Sequence, residues 1–483
     1  MVRLRRRKGP RKAPCVTPTE LLHGVAGPAK LDLPGLGLTS RSSDLRFDRA
    51  GRLGRGRRSA LLWLLSTTLA TVACGREDAA SPRSDHPASA PEPPIEIFSW
   101  FERIGESDPL GVLAAEHRRR YPDDVIINAR ASGLARKALR GRMLRGEPPD
   151  AFQANVGTDL LQWVLVDGED ARESKLLPLD GLVAGVGSWR KAIPSALLER
   201  LSYDGKIYGV PADLHRNNTL FYNKKVFARY GLGEPRTVED LHAMGEKLRG
   251  SGVSLLAVGS REPWTVALLL FECLLVAREG PKFYQDYFAG RLEAADPRFI
   301  RTLEAGIGLF AYVNPNHREL SWLQAVELVT RGEAAMTVMG DWARVSFIAA
   351  GLRLGQDYGE IPFPETAGTF LFSADAFALP VEAKNRAGVQ RLLATIGSPE
   401  GQRAISRARG TLSARLDVPP PDTDPVLMSS FALLQKKPPV MALSGLLPAA
   451  FADDLAAALG EMLDQHDVDP VIHMLRSRYV LLQ

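Results

Sequence analysis

Residues 201–227, LSYDGKIYGVPADLHRNNTLFYNKKVF, restrict what this chain can fold into more than any other stretch. Asp204-Gly205 is a hairpin signal feeding an extended apolar run at 207–211. A polar group follows at once, Asp213, His215, Arg216, Asn217 and Asn218, and then a second extended run at 219–222. Two such runs around a polar joint read as a chain leaving one lobe and entering another. Side chains at a crossing of that kind are well placed to line a cleft, because ligand sites favour domain interfaces. The same pattern is also compatible with an ordinary strand-loop-strand whose loop is solvated.

The flanking sequence supplies two lobes' worth of α/β elements. Residues 95–99 and 125–128 read as short strands, 109–121 as a helix between them, and 252–259 as another strand. Thr237 and Asp240 predict a capped helix over 237–249 with Gly250 as its stop. Ser398-Pro399 predicts a second helix start. Phe451, Leu455, Leu459 and Met462 form an apolar stripe that belongs to a core. With 483 residues the chain has length for two or three domains, and it shows no repeat.

Charge is unevenly spread. Residues 1–73 carry 15 Lys/Arg against four Asp/Glu, whereas the other 410 residues carry 46 against 52. The acidic body excludes a nucleic-acid footprint, although the whole-chain net charge is +5. A basic segment, RLGRGRR at 52–58, precedes a short apolar run at 60–73 and then Cys74. This is the pattern of a secretory signal, and LATVAC at 69–74 resembles a bacterial lipobox with Cys74 as the lipidated first residue. Residues 1–51 are expected to lie ahead of the true start. Residues 74–93, rich in Pro, Ser and Ala, are expected to form a disordered tether between lipid and body. Of the other cysteines, Cys15 lies in the basic front and Cys273 in an apolar run where a buried thiol is expected.

Signatures of catalysis are missing: there is no GxSxG, phosphate loop, GxGxxG after a strand, HExxH or CxxC. His466 and His473 have poor ligand spacing and read as a solvated helix end. No metal or cofactor is expected. The candidates that remain are Trp100, Phe101, Glu106, Gln153, Asn155, His215, Arg216, Trp264, Asp341 and Trp342. A sugar offers an apolar CH face and a rim of hydroxyls, so its site needs flat rings, planar polar groups and carboxylates. Taken singly each of these residues is ordinary: rings are more often core, and Glu106 more often a surface charge.

Six collinear blocks carry a resemblance. They are IEIFSWF (95–101), GEPPDAFQ (146–153), SYDGKIYGVPADLHRNNTLFYNKKVF (202–227), GEAAMTVMGDWA (332–343), FSADAFALP (372–380) and GSPEGQRA (397–404). Together they resemble the extracellular solute-binding proteins of carbohydrate ABC importers, family 1, in the glucose/galactose-binding type. The resemblance implies a two-lobed type II periplasmic-binding-protein fold of α/β class, with a discontinuous chain and a hinge near Pro211 and Gly340. Residues 94–211 with 341–384 would form the N-terminal lobe, and 212–340 with 385–483 the C-terminal lobe. Trp100 and Phe101 match the paired Trp that stack on sugar; Glu106, Gln153, His215, Trp264 and Asp341 match its other contacts. Phe101 departs from the pattern, as do Asn155 and Leu443, where histidines are expected, and Thr158, where Lys is usual. These departures predict a modified or larger sugar than glucose, or weaker binding.

The function implied is a monomeric, lipid-anchored receptor on the outer face of a bacterial membrane. It would take a mono- or oligosaccharide and deliver it to an ABC permease and its ATPase. Two alternatives stay open: a secreted carbohydrate-active enzyme with Glu106 and Asp341 as paired acids, and a sugar sensor without a permease.

Overall fold

The structure, a computed structural model, describes residues 92–129, 135–164, 166–167, 172–185 and 189–478. The leader, Cys74 and nearly all of the expected tether lie outside the described residues. Among those described, no helix is long and apolar enough to cross a membrane.

Two sheets, each with its own apolar core, divide the chain. In the first, strands Ile126–Asn128, Ile95–Phe98 and Ala151–Asn155 run parallel, and Asp375–Ala378 and Val210–Pro211 complete the sheet antiparallel. In the second, Thr219–Asn223 lies between Ala334–Met339 and Tyr358–Pro362, antiparallel to both, and Ser254–Leu256 adds in parallel at the edge. Both central strands, Ala151–Asn155 and Thr219–Asn223, are buried along their whole length. That is why each reads as a continuous run with no alternation.

Local signals translate directly. The hairpin at Asp204-Gly205 forms, with φ of 49° and 72° giving the left-handed pair a tight two-residue turn requires. Helix Val238–Leu248 begins with the expected capping box between Thr237 and Asp240. Helix Pro399–Arg409 starts at the Ser398 cap with proline first. The stripe from Phe451 to Met462 is fully buried on helix Ala449–Gln465, and Cys273 is a buried free thiol. His466 and His473 are exposed at the end of that helix and beyond it.

Segment allocation differs from expectation in two places. Residues 341–363 belong with the second lobe, because Tyr358–Pro362 pairs with Thr219–Asn223 and Phe347, Tyr358 and Phe363 pack in its core. Helices Arg386–Gly397, Pro399–Arg409 and Pro425–Lys436 belong with the first, through Val389, Leu392, Ile405, Leu427 and Phe431. The chain therefore crosses three times, and the last crossing delivers the C-terminal helices to the second core.

The three crossings come together. His215–Arg216, Leu371–Ser373 and Val440–Met441 form a small sheet of their own, with Leu371–Ser373 in the middle. Gly340, expected as a hinge point, is not on it. It follows strand Ala334–Met339 inside the second lobe, where the Trp342 ring leaves no room for a Cβ, 1.8 Å away. Beside the crossings, the buried Arg344 of the second lobe pairs with Glu360 and reaches Asp424, the cap of helix Pro425–Lys436 on the first.

Candidate functional site

The first crossing carries Asp213 and His215 into a buried group of charges. His215 is 3% exposed. Its Nδ1 lies 3.1 Å from Asp341 Oδ1, and its Nε2 lies 3.2 Å from Asp213 Oδ2 and 3.4 Å from Asp375 Oδ2. Arg409, at the end of helix Pro399–Arg409, brings Nε to 2.6 Å from Asp213 Oδ2 and Nη2 to 3.4 Å from Asp375 Oδ2. Asp341 is supplied by the turn after strand Ala334–Met339, and its Oδ2 accepts from the Arg216 backbone N at 3.0 Å. Residues from both lobes thus meet on the hinge sheet.

Burial works against a charged His215, but the Asp213 carboxylate beside it prevails, with bonds to Asp213 and Asp341, and raises the imidazole well above its ordinary value. Asp213 is lowered although burial opposes it, held ionised first by His215 and then by Arg409. With both imidazole nitrogens protonated, the 3.0 Å approach of Arg409 Nη2 to His215 Nε2 is a contact between two donors that share the same carboxylates. Three acids face two cations here. Desolvating such a set costs more than an apolar core of equal volume would.

Asp213, His215 and Asp375 are close enough to hold a metal ion. The donor set does not suit one: a protonated imidazole has no lone pair to give, and it and the Arg409 guanidinium already pair with the two carboxylates.

From this group an aromatic path leads outward. Trp342 stands edge-on to His215 with ring centres 5.0 Å apart, and Trp264 follows at 6.1 Å. Trp264 opens a short helix and is 40% exposed, a large apolar ring presented to solvent. On the first lobe, Phe101 is 3% exposed, edge-to-face with Phe377 at 5.8 Å, and Arg409 Cζ lies 4.4 Å from its ring centre. Trp100 is half-buried, and its backbone N donates to Gln153 Oε1 at 3.1 Å. Gln153 is buried, its Oε1 also accepts from Ser99 Oγ, and its Nε2 has no partner among the described residues.

Some expected contacts lie elsewhere. Glu106 is exposed on the loop after Trp100-Phe101 and makes no bond to the charged group. The Arg216 side chain turns away, donating to Asn218 Oδ1, Ser430 Oγ and Thr369 O at 3.3, 3.4 and 3.4 Å, so it braces the crossing against helix Pro425–Lys436. Burial pulls this guanidinium down to about 10. Asn155 is held by Asp159, which accepts from its backbone N and from Nδ2.

Of the departures, Thr158 forms a wall with the segment after Leu443. Thr158 Oγ1 donates to Leu447 O at 2.7 Å, and a Cβ on Gly157 would come within 2.2 Å of Gly445 O. The backbones of Gly157 and Gly445 are in contact there.

Sequence reasoning missed Asp375 and Arg409. Asp375 is the one charge in the apolar strand block FSADAFALP, and a lone acid in a buried strand is a readable signal. Arg409 carried none, since a basic residue before a helix-ending Gly410 is ordinary dipole chemistry.

Residues 122–403 match the family model described as bacterial extracellular solute-binding protein. An uncharacterized ABC transporter extracellular-binding protein of Pyrococcus horikoshii is 32% identical over 385 residues, covering 78% of this chain and 85% of the relative. A probable sugar-binding periplasmic protein of Rhizobium meliloti is 30% identical over 335 residues, 68% of this chain and 78% of that one. Among solved structures, a bacterial solute receptor with a preference for galactopyranose matches with a TM-score of 0.67 at 18% identity, over 80% of this chain and 98% of the other. An acarbose receptor of Streptomyces glaucescens matches at 0.62 and 18%, over 81% and 99%. At those identities the structures speak to the fold, a two-lobed solute receptor of type II.

Proposed function

Because the chain belongs to the bacterial extracellular solute-binding protein family, we propose that it captures a sugar between its two lobes and delivers it to an ABC importer. One observation carries the reading: a continuous path of contacts runs from the hinge acids through His215 and Trp342 to the open ring of Trp264. Charged donors and acceptors at one end and an apolar ring at the other are what hydroxyl rims and CH faces need. The spare Gln153 amide adds a donor on the first lobe. The sugar docks on one lobe, the lobes turn about the three crossings, and the closed form is the one a transporter engages. Binding shifts that equilibrium only by its greater affinity for the closed form.

The enzyme alternative loses its second acid, because both oxygens of Asp341 are taken by His215 and the Arg216 backbone. The contact between the Gly157 and Gly445 backbones favours a ligand that makes its polar contacts at the spare Gln153 amide and the partly exposed Arg409 instead of along that wall. Glucose is therefore not the expected ligand. Isothermal titration against a monosaccharide and oligosaccharide panel tests this: binding of a modified or larger sugar is expected, nanomolar glucose binding would refute the choice of ligand, and silence across the panel would refute the receptor. Export with a lipid on Cys74 completes the proposal. A peptide from residues 1–50 in the purified native protein would overturn it.

A further inference from the structure

The long helical stretch after Trp264 contains one π-helical segment, Leu268–Leu274, in which all seven residues are buried. Glu272 is the segment's single charged side chain, 5% exposed. A π turn inserts one residue into the helix and swings the side chains that follow, a distortion that tends to mark functional positions. Here the carboxylate is aimed at the hinge. Its Oε2 accepts from Asn217 Nδ2 at 2.8 Å, and its Oε1 accepts from the Leu443 backbone N at 3.0 Å. Asn217 in turn accepts from Ser373 Oγ at 2.8 Å through its Oδ1. Asn217, Ser373 and Leu443 stand on or beside the first, second and third crossings respectively.

We propose that Glu272 is a positioning residue for lobe movement, whose carboxylate ties the three crossing segments into one unit. The inference rests on the two-lobed receptor reading but not on the identity of the sugar. Removing this acceptor leaves the Leu443 N–H and the Asn217 amide without partners in a buried place, and the third crossing is then joined to the others through the sheet pairing alone.

The surroundings make this tie responsive to pH. Burial raises Glu272 to about 7, with the bonds from Asn217 and Leu443 pulling the other way. The neighbouring titratable groups are Cys273 and Tyr284, both pushed well up by burial and then by Glu272, so both stay neutral. Tyr284 donates its hydroxyl to Met441 O at 3.1 Å, a second hold on the third crossing. Arg216 is the cation near Cys273, and its guanidinium is directed to Asn218, Thr369 and Ser430. Helix Pro297–Phe310 packs on the π segment through Phe299, which stacks on Phe271. Its Arg301 and Glu304 are exposed, and its Arg298 is paired with Asp296. Strand Ala334–Met339 brings no charge. A folded-state value above the ordinary 4.5 means that this group's contribution to global stability is present below 4.5 and lost as pH rises through about 7. Over the same window the ionised form turns both hinge bonds into charge-assisted ones, so the hinge tightens locally as the chain loses stability overall.

Hydrogen exchange of the full chain without sugar, at about pH 6 and about pH 8 with intrinsic rates removed, reads the tie directly. The expected result is several-fold greater protection of 215–218, 371–376 and 440–446 at the higher pH. Glu272→Gln should abolish that difference, since the amide keeps the shape and does not titrate. Equal protection at the two pH values in the wild type, or an unchanged pH response in Glu272→Gln, overturns the proposal. Should that variant not fold, Ser373→Ala decides: 371–376 should lose its pH response while 440–446 keeps it. An unaltered response of all segments would refute the coupling. Because no sugar is present, failure here leaves the receptor reading to the calorimetry.

Discussion

Phe101 on the first lobe and Trp264 on the second were both expected to offer a ring to a sugar, and the fold treats them in opposite ways. Phe101 lies in the first core, 3% exposed, with the Arg409 guanidinium over its face. Trp264 is 40% exposed and leans on Trp342, which leans on His215. The difference teaches that one side is a buried, prepaired group of charges in which an aromatic ring supports a cation. The other side is an open aromatic surface. On the proposed reading, recognition is divided, with polar contacts from the hinge and first lobe and stacking from the second.

The sharpest way to break this comparison is at the prepaired charges. Asp213→Ala leaves His215 and Arg409 with fewer acids in a buried place and is expected to destabilise the fold by about 3–5 kcal/mol in denaturant unfolding. A loss below about 1 kcal/mol would show that the charges are not mutually held. The same group has a pH signature. His215 sits well above its ordinary value, so its contribution is full below about 6.5 and is lost as pH rises through its higher folded value. Asp213 is lowered, so its contribution is full above about 4 and is lost in acid. Thermal unfolding from neutral to alkaline pH should therefore fall in the wild type and flatten in His215→Gln.

Next comes the contrast of the two rings. Phe101→Ala is expected to cost about 3–4 kcal/mol of stability as a buried-ring deletion. Trp264→Ala should leave stability nearly unchanged and weaken sugar affinity by about 1–3 kcal/mol, read by calorimetry. If Trp264→Ala unfolds the chain and leaves the dissociation constant alone, the assignment of sides is reversed. At the small end, Glu106→Gln is expected to change stability by less than about 0.5 kcal/mol, because Glu106 is exposed and outside the charged group. A large loss of affinity in that variant would bring Glu106 back into the site.

The crossing at 201–227, the Thr237/Asp240 capping box and the stripe on helix Ala449–Gln465 were legible in the sequence because each is a short-range pattern. Of the candidate residues, His215, Asp341, Trp342 and Trp264 come together as one path. Gln153 and Trp100 are joined to each other, and Glu106 and the Arg216 side chain go elsewhere. The allocation of 341–363 and of the helices from Arg386 to Lys436 was not legible. An amphipathic helix or a buried strand states that it needs a core, and its own residues do not say which of two cores it joins.

By itself the sequence determined that the chain alternates short strands and helices, that a polar joint near residue 215 separates two extended runs, and that the body is acidic behind a basic front. Local periodicity, turn chemistry and charge counts are properties of neighbours in the chain, and so they can be read in order. Tertiary structure alone decided that Arg409 would sit over Phe101, that Asp375 would meet His215 across 160 positions, and that Glu272 would gather three crossings. Those contacts join residues far apart in sequence, and a buried charge is tolerated only where the fold brings its partners to it.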